Sequence, residues 1–170
     1  AHVLTTAPGS TWADRFKYSM QRLKGAYSLA VMTPSTLIAI RDPRGVRPLC
    51  IGKLKDGWVV ASESCALDHI GASLVREVKP GEVVTLGPNG IETIYQHPST
   101  QPNALCVFEH IYFARPDSII DEKLVYEARM SMGMELAKEH PVEADMVVGI
   151  PDSGSPAASG YAKQSGIPYG

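Results

Sequence analysis

Hydrophobic and polar positions change their rhythm along this chain, and each change marks an element. Residues 1–10 are small and polar and are expected to fray. TWAD at 11–14 has the Thr-x-x-Asp spacing of a capping box, with Phe16, Met20 and Leu23 at helical intervals behind it and Gly25 as a stop. From Tyr27 the apolar runs shorten. Residues 27–32 and 37–40 flank TPST at 33–36 and predict a β-hairpin, and DPRG at 42–45 predicts another turn. Strands are expected over 48–51 and 58–61, around a hairpin signalled by Asp56-Gly57, and one or two helical turns over 62–70, closed by Gly71. Strands over 75–78, 82–86 and 91–95 follow, with turns at KPG 79–81 and PNG 88–90. Up to Tyr95 the chain therefore reads as a largely antiparallel β-layer with few helices.

Residues 96–103, with Pro98 and Pro102, have the composition of a linker, and the character of the chain changes beyond them. CVFEHIYF at 106–113 reads as an aromatic-rich extended stretch, broken by ARPD at 114–117. Val125, Ala128, Met132 and Leu136 then mark the apolar stripe of a helix running to about Glu139, with Pro141 after it. MVVGI at 146–150 is a continuous apolar run of the kind found in strands covered on both faces, as in parallel sheets. Pro151 stops it, Ser153, Gly154 and Ser155 make a small-residue loop, and Pro156 occupies the expected first helical position with Ser155 as N-cap. Strand, loop and helix N-terminus in that order aim free N–H groups at one point, which suits a phosphate or diphosphate, although an ordinary α/β crossover has the same composition. GIPYG at 166–170 reads as the next strand beginning, and Ala1 stands where a start methionine would be, so the chain is expected to be a piece of a longer sequence.

Composition narrows the possibilities. With 170 residues, 44% of them apolar and 20% charged, the chain has the profile of a soluble globular protein. It has no apolar run long enough to span a bilayer and no signal-peptide plan. A net charge of -2 without a basic run offers no footprint for nucleic acid. Cys50, Cys65 and Cys106 are odd in number and far apart, which suits a reducing cytoplasm, and the five histidines show no metal-ligand spacing. Cys50 and Cys65 read as small core residues, and Arg41, Arg44 and Arg47 as a solvated turn.

GAYS at 25–28, RDPRGVRPL at 41–49, ASES at 61–64, KPGE at 79–82, YFARPDS at 112–118 and IPDS at 150–153 together resemble the successive signatures of the amidophosphoribosyltransferases, across residues 23–170 and in the right order. The resemblance implies an α+β fold: the C-terminal part of an N-terminal-nucleophile glutaminase domain, mostly antiparallel β, over 1–95. It further implies a linker over 96–105 and the N-terminal part of an α/β phosphoribosyltransferase domain over 106–170. The implied activity is the first committed step of purine synthesis, in which glutamine, phosphoribosyl diphosphate and water give phosphoribosylamine, glutamate and diphosphate. Implied partners are these two substrates, with no nucleic acid and no membrane, in a cytoplasmic homo-oligomer.

The family nucleophile is an N-terminal cysteine, and here position 1 is Ala1, so no catalytic residue is assigned. By resemblance, Ser153 helps hold the magnesium ion that accompanies the diphosphate, while the bland alternative is a helix cap; Asp152 reads as a turn residue. YFARPDS is implied to run along the ammonia passage between the two sites, with aromatic core packing and a helix start at Asp117 and Ser118 as the plain alternative. One branch of the family carries a [4Fe-4S] cluster, and Cys106 stands at its first cysteine position; a buried structural cysteine is the alternative. Two other functions stay open on sequence alone. They are a different amidotransferase, of the glucosamine-phosphate synthase type, and a non-enzymatic regulator on a phosphoribosyltransferase fold.

Overall fold

In the computed structural model, which describes residues 1–98 and 100–170, the chain divides into two compact units, Ala1–Cys106 and Val107–Gly170. The expected linker includes Ser99, which lies outside the described residues. Residues at its far end belong to the first unit: the Ala104 and Cys106 amides donate to the Arg44 and Val46 carbonyls at 2.9 and 3.0 Å.

The first ten residues hold a short helix, α1 (His2–Thr5), instead of fraying. Thr5 and Thr6 hydroxyls donate to the His2 carbonyl, and Leu4 packs on the core, so local hydrogen bonds and one apolar anchor order the segment. In α2 (Trp12–Met20) Thr11 is the N-cap as read: the Asp14 amide donates to the Thr11 hydroxyl at 3.1 Å, while the return bond comes from that hydroxyl to the Asp14 carboxylate at 2.6 Å, in place of the backbone bond of a full capping box. The helix ends at Met20, ahead of Gly25.

Seven strands follow: β1 (Ser28–Met32), β2 (Leu37–Arg41), β3 (Cys50–Leu54), β4 (Gly57–Ala61), β5 (Ser73–Glu77), β6 (Glu82–Gly87) and β7 (Gly90–Gln96), with α3 (Ser64–His69) between β4 and β5. All pairings are antiparallel, but they form two sheets, ordered β1-β2-β6-β7 and β4-β3-β5. The β3–β4 turn is Lys55-Asp56, one residue earlier than the Asp-Gly signal, because Leu54 pairs with Gly57 and Lys55 takes the left-handed φ of 47°.

Alternation along the strands stacks these pieces into layers. Ile38, Ile40 and Val83 face Phe16 and Met20 of α2 on one side of the first sheet. Ala39, Val84 and Leu86 point the other way, meeting Ile51 of the second sheet, Leu49 and Val78. Cys50 and Leu74, on the far side of that sheet, pack against Leu67 of α3. The order is helix, sheet, sheet, helix, and a Cβ on Gly52 would press into the Leu67 side chain, which would have to shift to admit it.

The second unit departs more from expectation. The aromatic run is not extended: Glu109–Phe113 is a π-helical turn, closed by an i→i+5 bond from the Ala114 amide to the Glu109 carbonyl at 3.1 Å. Asp117 and Ser118 do not open a helix, but lead into a two-residue hairpin, β8 (Ile119–Ile120) and β9 (Lys123–Leu124), with Asp121 and Glu122 both left-handed. Helix α4 (Val125–Glu139) ends where its periodicity predicts, yet its buried stripe is Val125, Arg129, Gly133 and Ala137. Met132 and Leu136 are exposed. The reason is α5 (Gly154–Ser165): a Cβ on Gly133 would strike the Ala157 carbonyl, and one on Gly160 the Met130 carbonyl, so small residues form the seam. Of the run 146–150, only Val147 joins a bridge, and it is parallel, to Tyr169. Two backbone bonds make it, Val147 N–H to Pro168 O at 2.8 Å and Gly170 N–H to Val147 O at 3.0 Å. Met146, Val148 and Ile150 are exposed, and among the described residues the bridge stays isolated.

Candidate functional site

The loop between residue 149 and α5 is built by close approach. Gly149 lies against Ser155 and Ala158, where a side chain would collide, and the Gly154 and Ser155 amides donate back to the Ile150 and Asp152 carbonyls at 3.0 and 3.4 Å. This tightness starts the helix earlier than expected. Ser153, not Ser155, is the N-cap, and Pro156 is the third helical residue, still among the positions whose N–H has no partner within the helix. The Pro151–Asp152 peptide is cis. The Ser153 hydroxyl makes no capping bond, and the residue is half-buried, so this oxygen is not consumed by the fold. Gly166, at φ 78°, closes the helix.

Beside this loop lies a cavity of about 340 Å³. Ile111 and Tyr112 of the π-turn and Met132 and Leu136 of α4 make its apolar wall, Ser153 and Gly154 open onto it from α5, and Arg129 reaches it from below. Arg129 is 2% exposed, and its guanidinium donates to the His110 carbonyl at 2.5 Å and the Ala114 carbonyl at 2.8 Å. It thus supplies donors that a widened turn cannot supply for itself. Phe113 stacks at a tilt against both Phe108 and Tyr112, with centroids 6.0 and 5.8 Å apart. Beyond the turn, Ser118 is fully buried, while Asp117 is exposed and paired with Arg115 at 2.7 Å.

The motif at 41–49 is mostly not a solvated turn. Arg41 is buried and donates to the carbonyls of Arg47, Val78 and Gly45 at 2.8, 2.9 and 3.1 Å. Asp42 accepts the Arg44 and Val46 amides at 3.0 and 2.9 Å. Arg44 and Arg47 are exposed, as read. Nearby, burial and then the Asp42 and Tyr95 charges push the Tyr27 hydroxyl up to about 12. Periodicity could not reveal Arg41 as a core residue; the only available signal was an Arg at the end of an apolar run.

Cys50 is buried on the α3 side of the second sheet, and burial, with Glu77 adding, pushes its thiol up to about 12, which makes it a poor nucleophile. Cys65 is buried in α3, and Cys106 is half-buried at the end of the first unit. Among the described residues no three His, Cys, Asp or Glu side chains gather as a metal site. Four thiolates for an iron–sulfur cluster are therefore not present together, and Cys106 can contribute one at most. A magnesium ion with its own diphosphate ligands asks less of the protein, and the uncommitted Ser153 oxygen fits that demand.

Comparison with known proteins is decisive for kinship. Residues 5–69 match the family described as "Glutamine amidotransferase domain". The amidophosphoribosyltransferase of Rhizobium etli is 48% identical over 172 residues, covering 99% of this chain and 35% of the relative. Over these residues the chain belongs to the amidophosphoribosyltransferase family. The Mycobacterium tuberculosis relative is 52% identical over 149 residues, covering 87% of this chain and 28% of its own length. Among solved structures, the glutamine phosphoribosylpyrophosphate amidotransferase from B. subtilis, complexed with ADP and GMP, superposes with a TM-score of 0.92 at 45% identity, covering 99% of this chain and 37% of that one. The chain thus spans about a third of the length of the relatives it matches. Its first unit is accordingly an α+β domain of antiparallel sheets and few helices, of the glutamine amidotransferase kind.

Proposed function

We infer that the protein carrying this segment is an amidophosphoribosyltransferase in activity. The observation that carries the reading is the continuity of the match: a family member superposes on 99% of the chain, glutaminase-type layers and IPDS loop alike. In the reaction, hydrolysis of the glutamine amide yields glutamate and ammonia. The ammonia lone pair then forms the C1–N bond of the ribose as the C1–O bond to diphosphate breaks. Residues 1–95 belong to the glutaminase side of this chemistry, 96–105 join, and 106–170 open the phosphoribosyltransferase side.

On that side Ser153 and the N-terminal end of α5 border the diphosphate, with the Gly154 and Ser155 amides spent on the Ile150 and Asp152 carbonyls. A magnesium ion there would neutralise the leaving group, with the Ser153 oxygen as one ligand. Cys106 would offer a single thiolate to a [4Fe-4S] cluster whose other ligands lie outside these residues. The protein is read as a cytoplasmic homo-oligomer; no helix among the described residues is long and apolar enough to cross a membrane.

The test uses the full-length protein with glutamine, phosphoribosyl diphosphate and magnesium, following glutamate and diphosphate together. Equal release of the two is expected, and Ser153→Ala should raise KM for phosphoribosyl diphosphate by about tenfold, the cost of one ligand in a charged site. Binding of phosphoribosyl diphosphate without release of either product would favour the regulator reading instead. A KM unmoved by Ser153→Ala across magnesium concentrations would return that residue to a purely structural role.

A further inference from the structure

The π-turn is held by a residue that the reaction chemistry does not itself require. An i→i+5 turn is wider than an α-turn, and its carbonyls do not all find donors along the helix. Here the His110 and Ala114 carbonyls are both taken by one buried guanidinium, that of Arg129, from the next helix. Arg129 lies in the buried stripe of α4, one helical turn before Gly133 and thus fixed by the same seam against α5. The clamp is therefore rigid at both ends. What it fixes is the face of the turn that carries Ile111 and Tyr112, and these form one wall of the cavity onto which Ser153 and Gly154 open.

We propose that Arg129 is a positioning residue for the transferase reaction: by clamping the π-turn it holds Ile111 and Tyr112 opposite Ser153 and so shapes the space that receives the phosphoribosyl diphosphate. This rests on the reading of the IPDS loop as the diphosphate site. Arg129 bonds the main chain of the turn, and its effect travels through the wall it sets. The guanidinium suits the task because its planar fork reaches two carbonyls at once, where a lysine ammonium on a flexible stem holds one geometry poorly.

The experiment compares Arg129→Lys, Arg129→Met and Tyr112→Ala in the full-length protein, with ammonium chloride as nitrogen donor so that the glutaminase step is bypassed, and reads diphosphate release. Arg129→Met is expected to raise KM for phosphoribosyl diphosphate roughly tenfold, since a displaced wall misplaces bound substrate. Arg129→Lys should recover part of that loss, and Arg129→Met combined with Tyr112→Ala should cost little more than either alone, because both remove the same wall. Amide exchange at Ala114 should quicken in Arg129→Met. A fall in melting temperature with KM unchanged in both Arg129 variants would make the clamp merely structural and overturn the proposal. Should Arg129→Met not fold, Arg129→Lys and Tyr112→Ala decide alone, and wild-type KM in both would be equally fatal. The two readings fail separately: if Ser153→Ala raises KM and the clamp variants do not, only this proposal falls, whereas an unaffected Ser153→Ala removes the diphosphate reading beneath it.

Discussion

Gly133→Ala sets two effects of opposite sign against each other. Replacing glycine by alanine inside a helix ordinarily favours the helix by about 1 kcal/mol. Here the new Cβ would meet the Ala157 carbonyl well inside van der Waals contact, and the obstruction is main chain, so no side-chain rotation relieves it. Helices α4 and α5 must part. Overpacking of this kind costs about 1–3 kcal/mol, and the upper end applies where backbone has to move. The difference is a net loss of about 2 kcal/mol, or about thirtyfold in local opening. Because the chain has two compact units, a single global midpoint would blur the effect, and amide exchange resolved on α4 and α5 is the better assay. Gly154→Ala is the control, since a Cβ there meets only Ile150 Cβ at 3.8 Å. Gly133→Ala with slower exchange than wild type would refute the seam.

Two further outcomes are expected in the first unit. Burial works to raise the Glu82 pKa, but the Arg76 guanidinium, with two contacts at 2.8 Å, the Thr93 hydroxyl and the Lys79 amide together hold it below the usual value. A depressed folded-state pKa stabilises above the unfolded value of about 4.3 and is lost as pH falls through the folded one, so Arg76→Met should cost about 2 kcal/mol at pH 7 and clearly less in acid. Urea unfolding at both pH values checks this, and an equal loss at each would contradict it. The isolated chain should release no glutamate from glutamine, because Cys50 and Cys65 are buried and the Cys50 thiol sits near pKa 12. In thiol labelling at about pH 7.5, half-buried Cys106 should react first.

How much was legible depended on whether the signal was local. The Thr11 N-cap and the turns at Thr33 and Pro88 are short-range contracts between neighbours, and each formed as its residues specify. Sheet membership was not local. Nothing between Ser73 and Gly87 says that β5 pairs with β3 while β6 pairs with β2; that choice is made by which apolar face each strand offers, and Val78 and Val84 meet only after both sheets exist. Arg41 is the same lesson in polar form. Its burial is compensated by three carbonyls up to 37 positions away, which no local pattern can display.

In the second unit the aromatic run was misread for one reason. Val107, Phe108, Ile111, Tyr112 and Phe113 have the composition of a strand, and their side chains are exposed in the observed turn, so burial did not decide the conformation. Backbone accounting did: Arg129 satisfies two carbonyls at once and makes the wide turn affordable. The same residue lies in the buried stripe of α4, and Met132 and Leu136, at i+3 and i+7 from Arg129, share its side of the helix and border the cavity beside Ser153.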